Sequence, residues 1–312
     1  MTHLSLMGRL SLCWCLLTQL ACAQQPIAAA DRSELLLIVG AAGKDEYAAA
    51  FGLWADRWRQ AAEQAGALVT VIGRAESTAD SGSTPDRDAV LAAVARSAGI
   101  KTTAPLWLVF IGHGTFDQRD ARLNLRGPDL SAGELAEACR PLQRPLAAVI
   151  CGSCSAPFLN ALSGPDRCII TATKDGNQLQ YSRFGEYMSA AIAGLEGDID
   201  RDGQTSLLDD NGDQQGVRSE IFNGLKPNTQ IKADKPIDGR RAAELCLVLS
   251  PQERQLTAAQ RKERDQLETE LNQLKLQKEQ LSETDYLQQL ETILLKLARL
   301  YQAAEQAAAT QP

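Results

Sequence analysis

Apolar residues along the chain fall into short continuous runs separated by longer segments with helical spacing. ELLLIVG (34–40), ALVTVIG (67–73), LWLVFIG (106–112), LAAVIC (146–151) and CIITAT (168–173) are aliphatic and β-branched runs of strand length, and they predict buried strands. Between them, DEYAAAFGLWADRWRQAAEQAG (45–66), AVLAAVARS (89–97), DLSAGELAEACRPL (129–142), PFLNALSG (157–164) and YSRFGEYMSAAIAG (181–194) predict helices. Thr84 and Pro85 offer a cap and a first helical residue for the second of these. Strands alternating with amphipathic helices predict an α/β domain over 33–250, with a mostly parallel sheet covered by helices on both faces. In such sheets, sites lie outside the carboxyl ends of the strands.

The rest of the chain reads differently. RAESTADSGSTPDRD (74–88) is a polar loop, and residues 212–240, polar and interrupted by Gly and Pro, predict a long flexible loop. AELCLVL (243–249) is a candidate last edge strand. From Pro251 the composition turns to Gln, Glu, Lys, Leu and Ala, with no Gly or Pro before Pro312. Leu267, Leu271, Leu274 and Leu281, then Leu287, Leu290, Leu294, Leu297 and Tyr301, keep a coiled-coil-like spacing. Ser282 followed by Asp285 resembles a capping box between the two runs, so residues 251–308 predict a helical hairpin. Its apolar stripe could pack on itself, on the α/β domain, on a protein partner or on a second copy.

Residues 1–23 combine Arg9, an apolar stretch from Leu10 to Leu20 and the small-x-small ending Ala21-Cys22-Ala23. This is the pattern of a secretory signal peptide and predicts a periplasmic or secreted protein. Lipid anchoring at Cys22 is the alternative, although Gln19 stands where such signals usually carry an aliphatic residue. No later run approaches the roughly 18 apolar residues of a membrane span. With a net charge of −7 and no basic cluster interleaved with aromatics, the chain is not built to attract nucleic acid.

Export would remove Cys13, Cys15, Cys22 and His3, leaving Cys139, Cys151, Cys154, Cys168, Cys246 and the single histidine His113. One histidine excludes zinc sites of several histidines and the two-histidine metalloprotease helix. His113-Gly114 follows the third strand run, and Cys154 follows the fourth. If those strands are parallel neighbours, imidazole and thiol emerge on the same sheet edge. That is dyad geometry for a cysteine hydrolase, the imidazole acting as base and then acid while Gly114 leaves its N–H open to a carbonyl oxygen. Two other readings of CGSC stay open: a Cys151–Cys154 redox or structural pair, and an inert turn. The run LAAVIC ends at Cys151, which closes the predicted strand. Ser153 and Ser155 could in principle use the same imidazole, but GSCSA lacks the second glycine of a serine nucleophile elbow.

An apolar strand ending in His-Gly, followed by a long apolar strand ending in a small-residue cysteine turn, resembles the caspase, metacaspase and legumain clan of cysteine peptidases. HGTFD, RLNLRGPDLS and FLNALSGPDRCIITAT are similar to exported bacterial legumain-like proteins. The resemblance spans roughly residues 33–195 by element order. It implies a caspase/legumain-like fold, His113 as general base, Cys154 as nucleophile, the amides of Gly114 and Cys154 as oxyanion hole, a protein or peptide substrate, and no metal or other cofactor in the chemistry. Cys154 is followed by Ser155-Ala156-Pro157 where many members carry glycine, and Gly152 replaces an acidic or amide residue. A catalytically inactive scaffold with a C-terminal interaction module is therefore the alternative expectation.

A second site is independent of the first. DIDRDGQTSLLD places Asp198, Asp200, Asp202, Gly203, Gln204, Ser206 and Asp209 at positions 1, 3, 5, 6, 7, 9 and 12 of a calcium loop. Alternate residues project oxygens toward one centre, Gln204 through its carbonyl, and the expected ligand is a structural Ca2+. GAAG (40–43) lacks the glycine spacing of a nucleotide-binding turn and reads as a tight strand-to-helix turn.

Overall fold

The computed structural model describes residues 32–74, 84–194, 222–223, 226–227, 245–250 and 252–309. The signal segment, the calcium-type loop 198–209 and most of the 212–240 loop lie outside them.

Five strands form one parallel sheet: β1 (Glu34–Val39), β2 (Leu68–Ile72), β3 (Leu106–Ile111), β7 (Leu146–Cys151) and β8 (Arg167–Thr171), in the order β2-β1-β3-β7-β8. Every pairing in it is parallel. Continuous apolar runs are what a sheet buried on both faces requires. Alternate residues divide them. Leu36, Ile38, Leu108, Phe110, Ala148 and Ile150 face one core with Val90 and Val94 of α2 (Asp86–Ala98), Leu135 of α3 (Ala132–Cys139) and Phe158 and Leu162 of α4 (Ala156–Leu162). Leu35, Leu37, Trp107, Val109, Ile111, Val149 and Cys151 face the other with Phe51, Trp54 and Trp58 of α1 (Asp45–Gln64) and Ile192 of α5 (Phe184–Ala193). The expected α/β fold with helices on both faces is the one observed.

Three short strands, β4 (Gly114–Phe116), β5 (Ala121–Leu123) and β6 (Leu130–Ser131), form a small antiparallel sheet. β4 begins at Gly114, so this second sheet grows out of the turn that carries His113. Residues 129–142, expected to be one helix, divide between β6 and α3. Ser131 caps α3, its hydroxyl accepting from the Glu134 amide at 3.2 Å while Glu134 accepts from the Ser131 amide at 3.0 Å.

The expected edge strand over 243–249 is not formed in its described part: residues 245–250 have no strand structure. Leu247 instead buries its side chain in the α1/α5 face of the core, with Leu245 and Val248 beside it. Apolar burial, rather than ladder pairing, accounts for that hydrophobic run.

The C-terminal segment folds as α6 (Ala258–Leu276) and α7 (Glu283–Ala309). Ser282 caps α7 as expected, its hydroxyl accepting from the Asp285 amide at 3.1 Å. Leu267, Leu271, Leu274 and Leu281 pack against Tyr286, Leu290, Ile293 and Leu297. The expected stripe on α7 needs correcting: Leu287 and Leu294 are 52% and 46% exposed, and Ile293, Leu300 and Ala304 are buried in their place. A helix that packs along one line against one partner buries a narrow stripe, so neighbouring leucines stay outside it. Glu253 locks the far end, accepting from Arg264 at 2.9 Å and from the Tyr301 hydroxyl at 2.6 Å.

Candidate active site at the carboxyl edge of the sheet

β3 and β7 are adjacent, and their last residues, Ile111 and Cys151, are register partners. The two turns that follow therefore leave the sheet side by side. Gly112-His113-Gly114 leads from β3 into β4; Gly152-Ser153-Cys154-Ser155 leads from β7 into α4.

The turns touch through the Gly114 main chain and the Ser153 hydroxyl. The Gly114 amide donates to the Ser153 hydroxyl at 3.1 Å, and that hydroxyl donates to the Gly114 carbonyl at 3.0 Å. A Cβ on Gly114 would sit 2.3 Å from the Ser153 carbonyl oxygen, so only glycine permits this approach. On the other side, Asn124 of the β5–β6 connection donates its amide to the His113 carbonyl at 3.0 Å.

The cysteine turn is anchored as firmly. The Ser155 hydroxyl, fully buried, accepts from the Thr173 amide at 3.1 Å, and the Ala156 amide donates to the Thr173 hydroxyl at 3.0 Å. Cys154 has φ +55°, the left-handed region that costs a non-glycine residue on the order of 1–3 kcal/mol and persists where the surroundings over-determine it. A strained residue between a strand and a helix is the local geometry of a nucleophile elbow.

His113 is half-buried among aromatic rings. Its imidazole stands edge-on to Tyr47 at 4.9 Å and to Phe51 at 5.2 Å between centroids, and Tyr47 stacks on Tyr181 at 4.9 Å. Cys154 is 1% exposed. Its amide donates to the Gln178 carbonyl at 3.0 Å, and its thiol approaches the same oxygen at 3.7 Å. Burial, and then the negative charge of Asp175, push the Cys154 thiol above its ordinary pKa. Among the described residues no hydrogen bond joins the imidazole to the thiol.

The structure thus places His113 and Cys154 on neighbouring turns of one sheet edge, while both amides expected in the oxyanion hole are taken, Gly114 by Ser153 and Cys154 by Gln178. Cys151 is the last residue of β7 and points into the α1/α5 core. No disulfide joins Cys151 to Cys154. The residues that the sequence did not single out are Gln178, Asp175, Tyr47, Phe51 and Tyr181. Gln178 acts through its main-chain carbonyl, which no residue pattern announces; Tyr47 and Phe51, four apart on α1, were legible only as a helix face. Among the described residues no cluster of three or more His, Cys, Asp or Glu is arranged to hold a metal. The calcium-type residues Asp198, Asp200, Asp202, Gln204, Ser206 and Asp209 lie outside the described set.

These features define an α/β protein with a mostly parallel five-stranded sheet, whose carboxyl edge presents a histidine turn and a strained cysteine turn in contact. Solved structures similar to it include caspase-1 from Spodoptera frugiperda (14% identity, TM-score 0.37, covering 55% of this chain and 72% of that one). The Drosophila initiator caspase Dronc is similar at 12% identity and TM-score 0.38, over 58% of this chain and 75% of that one. A Geobacter sulfurreducens protein aligns at 17% identity and TM-score 0.31, over 39% of this chain, which spans half the length of that protein. No protein-family model and no curated protein matches the sequence.

Proposed function

We propose that this protein is an exported cysteine endopeptidase of the caspase/legumain-like kind, acting on protein or peptide substrates with Cys154 as nucleophile and His113 as general base. The observation that carries the reading is the pairing of the two turns: parallel neighbours β3 and β7 end in register, and Cys154 holds a strained conformation between strand and helix. In the reaction, His113 takes the thiol proton and the sulfur attacks the peptide carbonyl carbon. The resulting oxyanion is met by the amides of Gly114 and Cys154 once Ser153 and Gln178 give them up. The leaving amine then takes the proton from the imidazolium, and water hydrolyses the thioester. Metal has no part in these steps; calcium, held by Asp198, Asp200, Asp202, Gln204, Ser206 and Asp209, would be structural, and millimolar calcium then raises the melting temperature.

The test is hydrolysis of a mixed peptide library by the protein purified without its leader. Cys154→Ala and His113→Ala should each lower the rate by about 10²–10⁴-fold, the range of an acid–base or nucleophilic group. A second reading is favoured by the closed state of the site: with Cys154 buried and both amides engaged, the chain could be an inactive scaffold. Its hairpin, with Leu287, Leu294 and Leu295 exposed on α7, would then bind a partner protein or a second copy. Hydrolysis that is unchanged in both variants decides for that reading.

A further inference from the structure

We propose that the segment from Lys174 to Tyr181 is an autoinhibitory lid whose Gln178 carbonyl occupies the place of a substrate carbonyl at Cys154. The inference rests on the peptidase reading above and names how that site is kept latent.

One carbonyl oxygen takes both groups that the chemistry needs. It accepts the Cys154 amide at 3.0 Å, the contact assigned to a scissile carbonyl, and it lies 3.7 Å from the thiol. A peptide substrate cannot enter while that oxygen stays. The lid is self-consistent: Gln178 Oε1 accepts the Lys174 amide at 2.7 Å, Asp175 accepts the Asn177 amide at 2.8 Å, and the Leu179 amide donates to the Asn177 carbonyl at 3.0 Å. It is also mostly exposed between its aromatic anchor at Tyr181 and its start at Lys174. Lys174, Asp175, Asn177, Leu179, Gln180 and Tyr181 are exposed, and Gly176 is the one buried residue of the segment. Its seat is the Phe116 ring of β4, which leaves no room for a side chain: a Cβ on Gly176 would lie 2.7 Å from that ring. At the far end, Tyr181 stacks on Tyr47 and lies 6.2 Å from His113, so the lid covers the imidazole side as well. A segment with few buried contacts opens at lower free energy than the core beneath it. Asp175 moves with the lid, so opening would also take its negative charge away from the thiol.

Alkylation by iodoacetamide under native conditions, followed by mass spectrometry of each cysteine peptide, reads lid opening without requiring hydrolysis. Cys139, Cys151 and Cys168 are buried in the core and report global unfolding. In the unaltered protein Cys154 should react at least about tenfold faster than these three, because local opening precedes global unfolding. Gly176→Ala, which forces the lid off Phe116, should raise the Cys154 rate about a further tenfold and leave the three core thiols slow. Cys154 reacting no faster than Cys151 and Cys168, or a Gly176→Ala protein with an unchanged Cys154 rate, overturns the lid. If Gly176→Ala accelerates all four together it has unfolded, and the comparison within the unaltered protein decides. Faster labelling without any peptide hydrolysis keeps the lid and removes the peptidase reading. Hydrolysis with unaltered labelling does the reverse.

Discussion

The two edges of the main sheet bury polar groups in opposite ways. At the amino edge, the Arg144 guanidinium is nearly inaccessible, with a side chain 2% exposed, and every bond it makes is structural. It donates to the carbonyls of Ala104 at 2.7 Å and Pro105 at 3.1 Å, to the Ser97 hydroxyl at 3.2 Å and to the Glu34 carboxylate at 2.9 Å. These contacts tie the starts of β1 and β3 to the end of α2. At the carboxyl edge, the buried donors of Gly114 and Cys154 are also satisfied, but by partners that a reaction would have to displace. Burial at the amino edge fixes the fold; at the carboxyl edge it encloses the thiol of a residue held in the left-handed conformation.

The largest expected effect tests the amino edge. Arg144→Met strands the Glu34 carboxylate, 14% exposed, and several carbonyls, and should cost about 3–5 kcal/mol in urea unfolding. A loss under about 1 kcal/mol would place that edge among ordinary surface ion pairs. Next comes the contact between the turns. Gly114→Ala drives a methyl group against the Ser153 carbonyl and should cost about 1–3 kcal/mol while abolishing hydrolysis, measured by thermal melting and peptide turnover. A smaller effect probes the strain at Cys154 itself. Both Cys154→Ala and Cys154→Gly remove the thiol, so their difference sets relief of the left-handed φ against the lost methyl group and the freedom glycine adds to the unfolded chain, and the glycine variant should be the more stable by about 1 kcal/mol. Alanine proving equal or better would mean that the strain stored there does not exceed glycine's own cost of about 0.5–1 kcal/mol.

The smallest effect is electrostatic. The negative charge of Asp175 disfavours the Cys154 thiolate, so Asp175→Asn lowers the thiol pKa toward its ordinary value, and alkylation should begin at lower pH. Protonation linkage gives the amino edge, where Arg167 at the start of β8 donates to the Cys139 carbonyl at 2.7 Å, a sign that can be checked. Burial pushes the Cys139 thiol up to about 11 from 9.0, so its contribution to stability is complete below pH 9 and is lost as the pH rises through about 11.

The five strands, the helices on both faces and the side-by-side turns were legible because continuous apolar runs and helical spacing report burial directly. Cys151 as an inward strand residue followed from counting AAVICGSC against the pattern of the resembled clan, which leaves two residues between strand end and nucleophile. The β4–β6 sheet was not legible, since strands of two or three residues carry no periodicity. The hydrophobicity of 243–249 suggested a strand although its described part only packs, and the leucine spacing of α7 could not tell the contact line, Ile293 and Leu300, from its exposed flank, Leu287 and Leu294. At the candidate site His113 and Cys154 were legible as candidates, but the state of their surroundings was not. The Ser153 hydroxyl on the Gly114 main chain and the Gln178 carbonyl on the Cys154 amide join segments far apart in the chain, and they exist only once the sheet edge is assembled.

The most direct test of a Cys154–His113 pair is covalent trapping with a peptide-based electrophile, located by mass spectrometry in the unaltered protein and in His113→Ala. If thiol and imidazole act as a pair, a single adduct forms on Cys154 and disappears without His113. An adduct that is absent, that lies on another cysteine, or that forms on Cys154 equally well without the imidazole contradicts the pairing.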